Sequence, residues 1–441
     1  MDLWTLLVSF LSWASNFGPL PENFNNADDL FAASPKRWAI LVAGSNTYKN
    51  YRHQADVCHA YQVLHRHGVP DRRIVVMMYD DIAKDPQNPD KRRLYNRPDG
   101  PDVYKGVPKD YTEDLVTPFN FLQILQGKKI KGGSKKVIAS GPKDHIFIYF
   151  SGHGTTGLVR FPNGEALFAT DFVNVLQTMH AEKRYAKMTI YVEACKSGSM
   201  FANLLPNNID IYATTAANPF EPSYACYWDG NRAAYLGNKY STSWMEDSDA
   251  QDLKTRSLNE QYEFVKAETT RSHVMQYGDD AMGALKVGDF QGDKIVKPFV
   301  FPFFPCGGTP DCDTNVAVLK HQIAEATDPV RRMSLQKKLN QTLEERYFVE
   351  MKIAKIAKYV AQEGGNATKA LLSTRRIVTN FDCYKGAVLY FSERCSSIYK
   401  HTYALEHLHV LANACDSGYT LPVLTAAMDK ACSHDDVAGT A

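Results

Sequence analysis

The chain has 441 residues, enough for two or three domains with a large interior, so a scaffold held mainly by disulfides is excluded. Hydrophobic residues make up 44% and charged residues 22%, the balance of an ordinary folded protein rather than a disordered, collagenous or coiled-coil one. With 50 Lys and Arg against 49 Asp and Glu the net charge is +1, and nothing in it steers the chain to nucleic acid or an anionic membrane.

The chain opens on an apolar run, Leu3 to Trp13, ending in the small-x-small pattern Ser12-Trp13-Ala14. This predicts a secretory signal, although Asp2 stands where a basic residue is usual; the competing reading is a buried first helix. The run is too short for a membrane span, which takes about 20 residues, and no later run qualifies. No membrane anchor is expected, and the mature protein should be soluble and lumenal or extracellular.

Between residues 38 and 213, β-branched or aromatic runs alternate with helical patterns. Strands are predicted at Trp38 to Ala43, Ile74 to Tyr79, His145 to Phe150, Met188 to Glu193 and Ile209 to Thr214, with a helix from Gln54 to His67. Runs apolar on both faces suit an α/β domain with a mainly parallel sheet flanked by helices, whose chemistry collects beyond the carboxyl ends of the strands. From Ile295 to Cys312, Pro, Phe and Gly replace any period, which marks a linker or an extended segment. Beyond it Leu335, Leu339, Leu343, Met351, Ile353, Ile356 and Val360, then Leu405, Leu408 and Ala412, keep helical spacing. A small helical domain is expected there.

Four of the nine cysteines, Cys383, Cys395, Cys415 and Cys432, crowd the C-terminal end and predict two disulfides. Cys306 and Cys312 bracket a Gly-Gly-Thr-Pro turn and are expected to form a third; the alternative is two free thiols. Cys58, Cys195 and Cys226 remain, an odd number, so at least one thiol should be unpaired and either buried or reactive. Sequons at Asn340 and Asn366 predict glycosylation on a secreted surface.

Two strand ends carry reactive side chains within glycine-containing turns: Ser151-Gly152-His153-Gly154 and Glu193-Ala194-Cys195-Lys196-Ser197-Gly198. A histidine beside a cysteine supplies the proton acceptor and charge partner that make a thiolate nucleophile. Parallel neighbours lie about 4.8 Å apart, so both side chains can face one cleft. Glu193 points to the same side as Cys195. With Arg52 and His53 after the first strand it would form a pocket of both charge signs, suited to a carboxamide. His65-Arg66-His67 and His407-Leu408-His409 lack the two-per-face spacing of a metal site, so no metal or other cofactor is expected. Lys128 to Lys136 reads as a solvated loop.

Asn50-Tyr51-Arg52-His53-Gln54-Ala55-Asp56, Glu193-Ala194-Cys195, Tyr212-Ala213-Thr214-Thr215-Ala216-Ala217-Asn218-Pro219 and Trp244-Met245-Glu246-Asp247-Ser248 together resemble the legumains, asparaginyl endopeptidases related in fold to the caspases. The resemblance covers nearly the whole chain. It implies Cys195 as nucleophile, His153 as general base and acid, Asn50 as a polar support, and a pocket of Arg52, His53, Glu193, Ser223 and position 238, here Asn238. The amides of Cys195 and Gly154 would form the oxyanion hole. Hydrolysis after Asn, and in acid more weakly after Asp, would pass through a thioester. The resemblance further implies a six-stranded caspase-like sheet and a zymogen. Its segments would be a signal peptide over 1–15, an N-terminal propeptide over 16–34, a catalytic domain over 35–293, a linker over 294–330 and a helical prodomain over 331–441. The prodomain would inhibit in cis until acid self-cleavage, with Asn315 and Asp328 as candidate positions. Disulfides Cys383 with Cys415 and Cys395 with Cys432, protein and peptide substrates, cystatin-type inhibitors and an acidic lysosome-like compartment also follow from it.

Three positions depart from the family pattern: Gly152, Lys196 and Asn238 each lack an expected acid. Fewer crowded carboxylates predict better tolerance of neutral pH, and Gly152, unable to form a succinimide, predicts hydrolysis over ligation. The competing readings are a peptide ligase, a caspase-like peptidase of other specificity, and a catalytically silent binding protein.

Overall fold

The computed structural model describes residues 35–299, 304, 306, 308–362 and 365–433. The signal peptide and N-terminal propeptide expected over 1–34 lie outside the described residues, as does part of the linker.

Strand β1 (Arg37–Ala43) is apolar on both faces because it is covered on both. It leads through helix α1 (Tyr51–Arg66) to β2 (Ile74–Met77). Helix α2 (Pro118–Leu125) precedes β3 (His145–Ser151), which runs into a hairpin of β4 (Gly154–Thr155), β5 (Leu158–Arg160) and β6 (Ala166–Phe168). Helix α3 (Ala169–Ala181) then crosses to β7 (Lys187–Glu193) and β8 (Ile211–Thr215). Strands β9 (Tyr224–Asp229) and β10 (Ala234–Asn238), helices α4 (Lys239–Ala250) and α5 (Leu258–Glu268), β11 (Met275–Gly278) and the short α6 (Gly288–Gln291) complete this part.

The main sheet has six strands in the order β2-β1-β3-β7-β8-β11, parallel except for β11. All five predicted strands are in it, together with the sixth that the resemblance implied. Apolar layers cover both faces. Ile40, Ile146 and Ile148 lie in one, Leu41, Phe147 and Trp244 in the other.

Within the described residues the linker forms regular structure. Thr309–Pro310 (β12) adds antiparallel to β9, and helix α7 (Thr314–Glu325) follows after one turn. The helical region therefore starts at Thr314, ahead of the expected 331. It continues through α8 (Pro329–Val360), α9 (Asn366–Ser373), α10 (Phe381–Arg394), α11 (His409–Asp416) and α12 (Leu421–Ala431). Ile353, Ile356 and Val360 are buried as their spacing predicts, but Leu343 and Met351 are 44% and 40% exposed. That stretch of the long helix packs on α7 through Leu339 and on the main core through Val349, and Leu343 and Met351 lie on the face left to water. The helices pack on the β4–β5 hairpin just after His153: Tyr384 Oη donates to Thr156 O (2.7 Å), and Phe381 lies against Gly157.

Disulfides Cys383–Cys415 and Cys395–Cys432 are as implied. The expected Cys306–Cys312 bridge is not formed: Cys306 pairs with Cys226 on β9, and Cys312 is free. The linker runs antiparallel along β9, which brings Cys306 beside Cys226 and carries Cys312 on toward the cleft.

Candidate active site

β3 and β7 are paired with Ser151 opposite Glu193, and Gly152 N donates to Glu193 O (3.0 Å), so His153 and Cys195 leave neighbouring strand ends two residues further on. Gly154 is a close-approach position: a Cβ there would meet Cys195 O at 2.8 Å and the Ala194 Cβ at 2.9 Å. Cys195 Sγ lies 3.9 Å from Ser223 Oγ.

Asn50 donates its Nδ2 to Asn46 O (2.7 Å), which turns Oδ1 to His153 Nε2 at 2.8 Å. An oxygen there requires a proton on Nε2 and leaves Nδ1 as the working nitrogen. Nδ1 is covered by Asp311 Oδ2 at 2.7 Å.

Asp311 is 2% exposed and also pairs with Arg52, whose Nε lies 2.7 Å from Oδ1; its backbone N donates to Ser223 O (2.9 Å). His53 stands on edge to His153, its Nδ1 on Ser45 Oγ (2.6 Å) and its Nε2 3.6 Å from Asp311 Oδ1. The linker thus extends β9 as a third strand and inserts an acidic side chain between Arg52 and His153. Asp311, Ser45 and Asp56 are site residues that no role in the sequence reading covered.

The three departures have structural readings. Asn238 accepts from Arg52 Nε (3.1 Å) and donates to Asp56 Oδ2 (2.6 Å), so an amide relays between guanidinium and carboxyl. Glu193 Oε2 accepts from Ser241 N and Oγ (3.1 and 3.0 Å), while Oε1 is buried without a hydrogen-bond partner. Lys196, another departure, is buried in a left-handed turn (φ 54°) and reaches Glu406 Oε2 at 3.3 Å. At Gly152 a Cβ would meet the Phe150 ring at 2.9 Å and Gly44 Cα at 3.0 Å, so an acid there requires the ring to shift.

Residues 37–293 match the model of the peptidase C13 family, and residues 337–432 match that of the legumain prodomain. The chain is 46% identical to mouse legumain and 45% to human legumain, each over 98% of this chain and 99% of the relative. The chain belongs to the legumain family. A vacuolar-processing enzyme β-isozyme of Arabidopsis thaliana is 39% identical over 93% of this chain and 89% of its own. A caspase-1 of Spodoptera frugiperda aligns at 10% identity and TM-score 0.37, covering 64% of this chain and 98% of its own, too loosely to carry an argument. This legumain-family chain is a cysteine endopeptidase of asparaginyl type with a prodomain, and its disulfides fit passage through the secretory pathway.

Burial governs the ionisation of this legumain-family site. It pushes the Cys195 thiol well up, with Asp311 adding to the rise, and pushes His153 down against the raising pull of Asp311. For Asp311 burial works the other way, but Arg52 and His153 outweigh it and hold the carboxyl well below its usual range. Glu193 is pushed up to about 8 by burial and by Asp56, and Asp56 to about 6 by burial. Nε2 of His53, Nδ1 of His153 and the Asp311 carboxylate lie within 4.8 Å of one another, atoms of kinds metals take, but Arg52 already neutralises that carboxylate. The cleft is filled; an open cavity of about 440 Å³ lies elsewhere, between Tyr48, Leu319 and Tyr403.

Proposed function

We propose that this protein hydrolyses peptide bonds on the carboxyl side of Asn, with Cys195 attacking the carbonyl and His153 Nδ1 moving the proton. Asn50 holds the imidazole on Nε2. The amides of Cys195 and Gly154 receive the oxyanion, the thioester forms as the amine leaves with a proton from His153, and water, deprotonated by His153, completes hydrolysis. The reading rests on the partnerless Oε1 of Glu193 in the pocket that also holds Arg52. A carboxyl oxygen left free to hydrogen-bond, in a pocket with a guanidinium donor, suits the two ends of a carboxamide. Ser223 and Asn238 complete the pocket, His53 walls it, and no cofactor takes part in any step. As pH falls, an Asp substrate gains a proton and comes to resemble Asn, which supports weaker, acid-dependent cleavage there.

In the same reading, residues 35–293 are the catalytic domain, 294–330 the linker and 331–441 the prodomain; the prodomain inhibits in cis together with the linker's Asp311 and is lost by self-cleavage in an acidic, lysosome-like compartment. Asn340 and Asn366, both exposed, carry glycans, and cystatin-type proteins are candidate inhibitors.

The test is a set of peptides differing only at the cleaved residue, given to the acid-activated protein and to Cys195→Ala. Asn should lead Asp, with both ahead of Lys, and the variant should lose at least about 10⁴-fold in rate. A variant as active as the wild type, or a preference for Lys, would overturn the reading.

A further inference from the structure

The open cavity of about 440 Å³ has the size of a small-molecule site, about 300–1,000 Å³. Stretches far apart in sequence wall it. Tyr48 and Lys49 come from the catalytic part just ahead of α1, Leu319 from α7, Val349 from α8 and Tyr403 from the turn before α11. Lys49, Lys338, Arg346 and Lys400 bring four positive charges to it, and Glu345 brings one negative charge. Asp313 already neutralises Arg346, at 2.6 Å from Nη1, so three ammonium groups stand against one carboxylate. Among the described residues Lys49, Lys338 and Lys400 form no ion pair. Glu345 Oε1 accepts from Gln341 Nε2 (3.1 Å), which holds that carboxylate along its own helix.

We propose that this cavity binds a small phosphate or sulfate ester carried on an aromatic body, and that the ligand fastens the helices to the catalytic part. The unmatched ammonium groups supply donors to the ester oxygens, and the surplus of positive charge suits a phosphate ester, which carries about −1.5 to −2 at neutral pH. The body of the ligand meets Tyr48, Leu319 and Val349. Both tyrosines of the lining are fixed. Tyr48 Oη donates to Arg232 O (2.9 Å), and Tyr403 Oη donates to Glu350 Oε1 (2.6 Å) while the Arg346 guanidinium lies 4.4 Å from the centroid of its ring.

Tyr48, Lys49, Gln87 and Ala233 belong to the catalytic part and the other walls to the linker and the helices, so the cavity is complete only while the two are joined. A ligand held by all its walls binds the closed form and not the open one, which favours closure by a factor of 1 + [L]/Kd. Asn315, a candidate position for self-cleavage, is part of the lining, so an occupant also covers it. Binding itself is independent of the proposed hydrolysis; its effect on activation rests on the reading of the helices as a prodomain lost by self-cleavage.

The experiment uses the full chain as Cys195→Ala, which keeps it uncut, with naphthyl phosphate as the probe and naphthyl sulfate, inorganic phosphate and naphthol for comparison. Titration calorimetry at neutral pH should give one site for naphthyl phosphate, at least about tenfold tighter than for inorganic phosphate or naphthol, together with a rise in Tm. A sulfate ester that binds equally marks a site for oxyanion esters of either kind, and one that binds less marks a site for the doubly charged phosphate. Lys338 and Lys400 are exposed, so Lys338→Gln/Lys400→Gln should keep the Tm of the unliganded chain while weakening the probe on the order of tenfold. Lys49→Gln, from the catalytic part, should weaken it as well. Naphthol binding as tightly as its phosphate, or unchanged binding in these variants, overturns the site. In acid self-cleavage of the wild type, the phosphate ester at about ten times its Kd at that pH should slow the loss of intact chain about tenfold. An unchanged rate overturns the link to closure. A wild type that binds the probe but never cuts itself would instead overturn the reading of the prodomain and leave the site standing.

Discussion

The floor of the cleft and the helical part above it bury ionisable side chains that answer acid in opposite ways. Beneath the pocket, Glu193 and Asp56 are pushed up to about 8 and about 6, so the folded chain binds protons there that the unfolded chain has released. Their contribution to stability is present below about 4 and is lost as pH rises through those values. In the helical part burial pushes His407 down, and His409 down to about 4, with Arg375 and Lys196 lowering both. Their contribution is present above the ordinary histidine value of 6.5 and is lost as pH falls. Asp311, held low, keeps its ion pair with Arg52 in mild acid. In the cleft itself burial also pushes His153 down, and His53 down to about 3, so carboxyls and histidines oppose one another there, whereas His407 and His409 act together.

The largest effect that tests this contrast is at Asp311. In the Cys195→Ala background, which prevents self-cleavage, Asp311→Ala should remove about 3 kcal/mol by leaving Arg52 without its buried partner, read as a lower urea midpoint. An unchanged midpoint would mean that the linker contributes little to closure. Next is Gly152→Asp, which the acid-rich family pattern would favour. The Phe150 ring and Gly44 stand in its way, so a loss of about 1–3 kcal/mol is expected as a lower Tm at any pH. Glu193→Gln in the same background should flatten the fall of Tm between about pH 4.5 and 8, and a slope identical to the parent would remove Glu193 from the account. The smallest effect is at His407: His407→Gln should move the midpoint of acid self-activation downward by less than about one pH unit, the scale of one partly buried group.

Glu193 and Asp56 also bear on the neutral-pH tolerance expected from the departures. Replacing acids at positions 152, 196 and 238 leaves these two buried carboxyls in place, and both still favour acid.

Much of the fold was legible because its signal is local. Five runs apolar on both faces became five adjoining parallel strands, and the reactive turns beyond two of them came side by side. Met275–Gly278 escaped because four half-buried residues at a sheet edge have neither an apolar run nor an alternation to detect. The charges of the candidate pocket were legible because Arg52, His53 and Glu193 sit in short motifs beside strand ends, and all three are buried. Asp311 was not, because its role depends on a linker without periodicity running antiparallel along β9, a pairing between distant segments. The cysteine reading failed for the same reason. Cys306 and Cys312 are neighbours in sequence, but the extended linker holds them on successive parts of one path, and Cys226 lies across from the first.

The Cys226–Cys306 link outlasts any cut after Asp311. The severed tail, ending in the acid that fits Arg52, stays attached to the body whose cleft it fills, a competitor at fixed stoichiometry that dilution cannot wash out. A tail held in this way would leave on reduction of the Cys226–Cys306 bond, which would tie the amount of vacant enzyme to the redox state of the compartment.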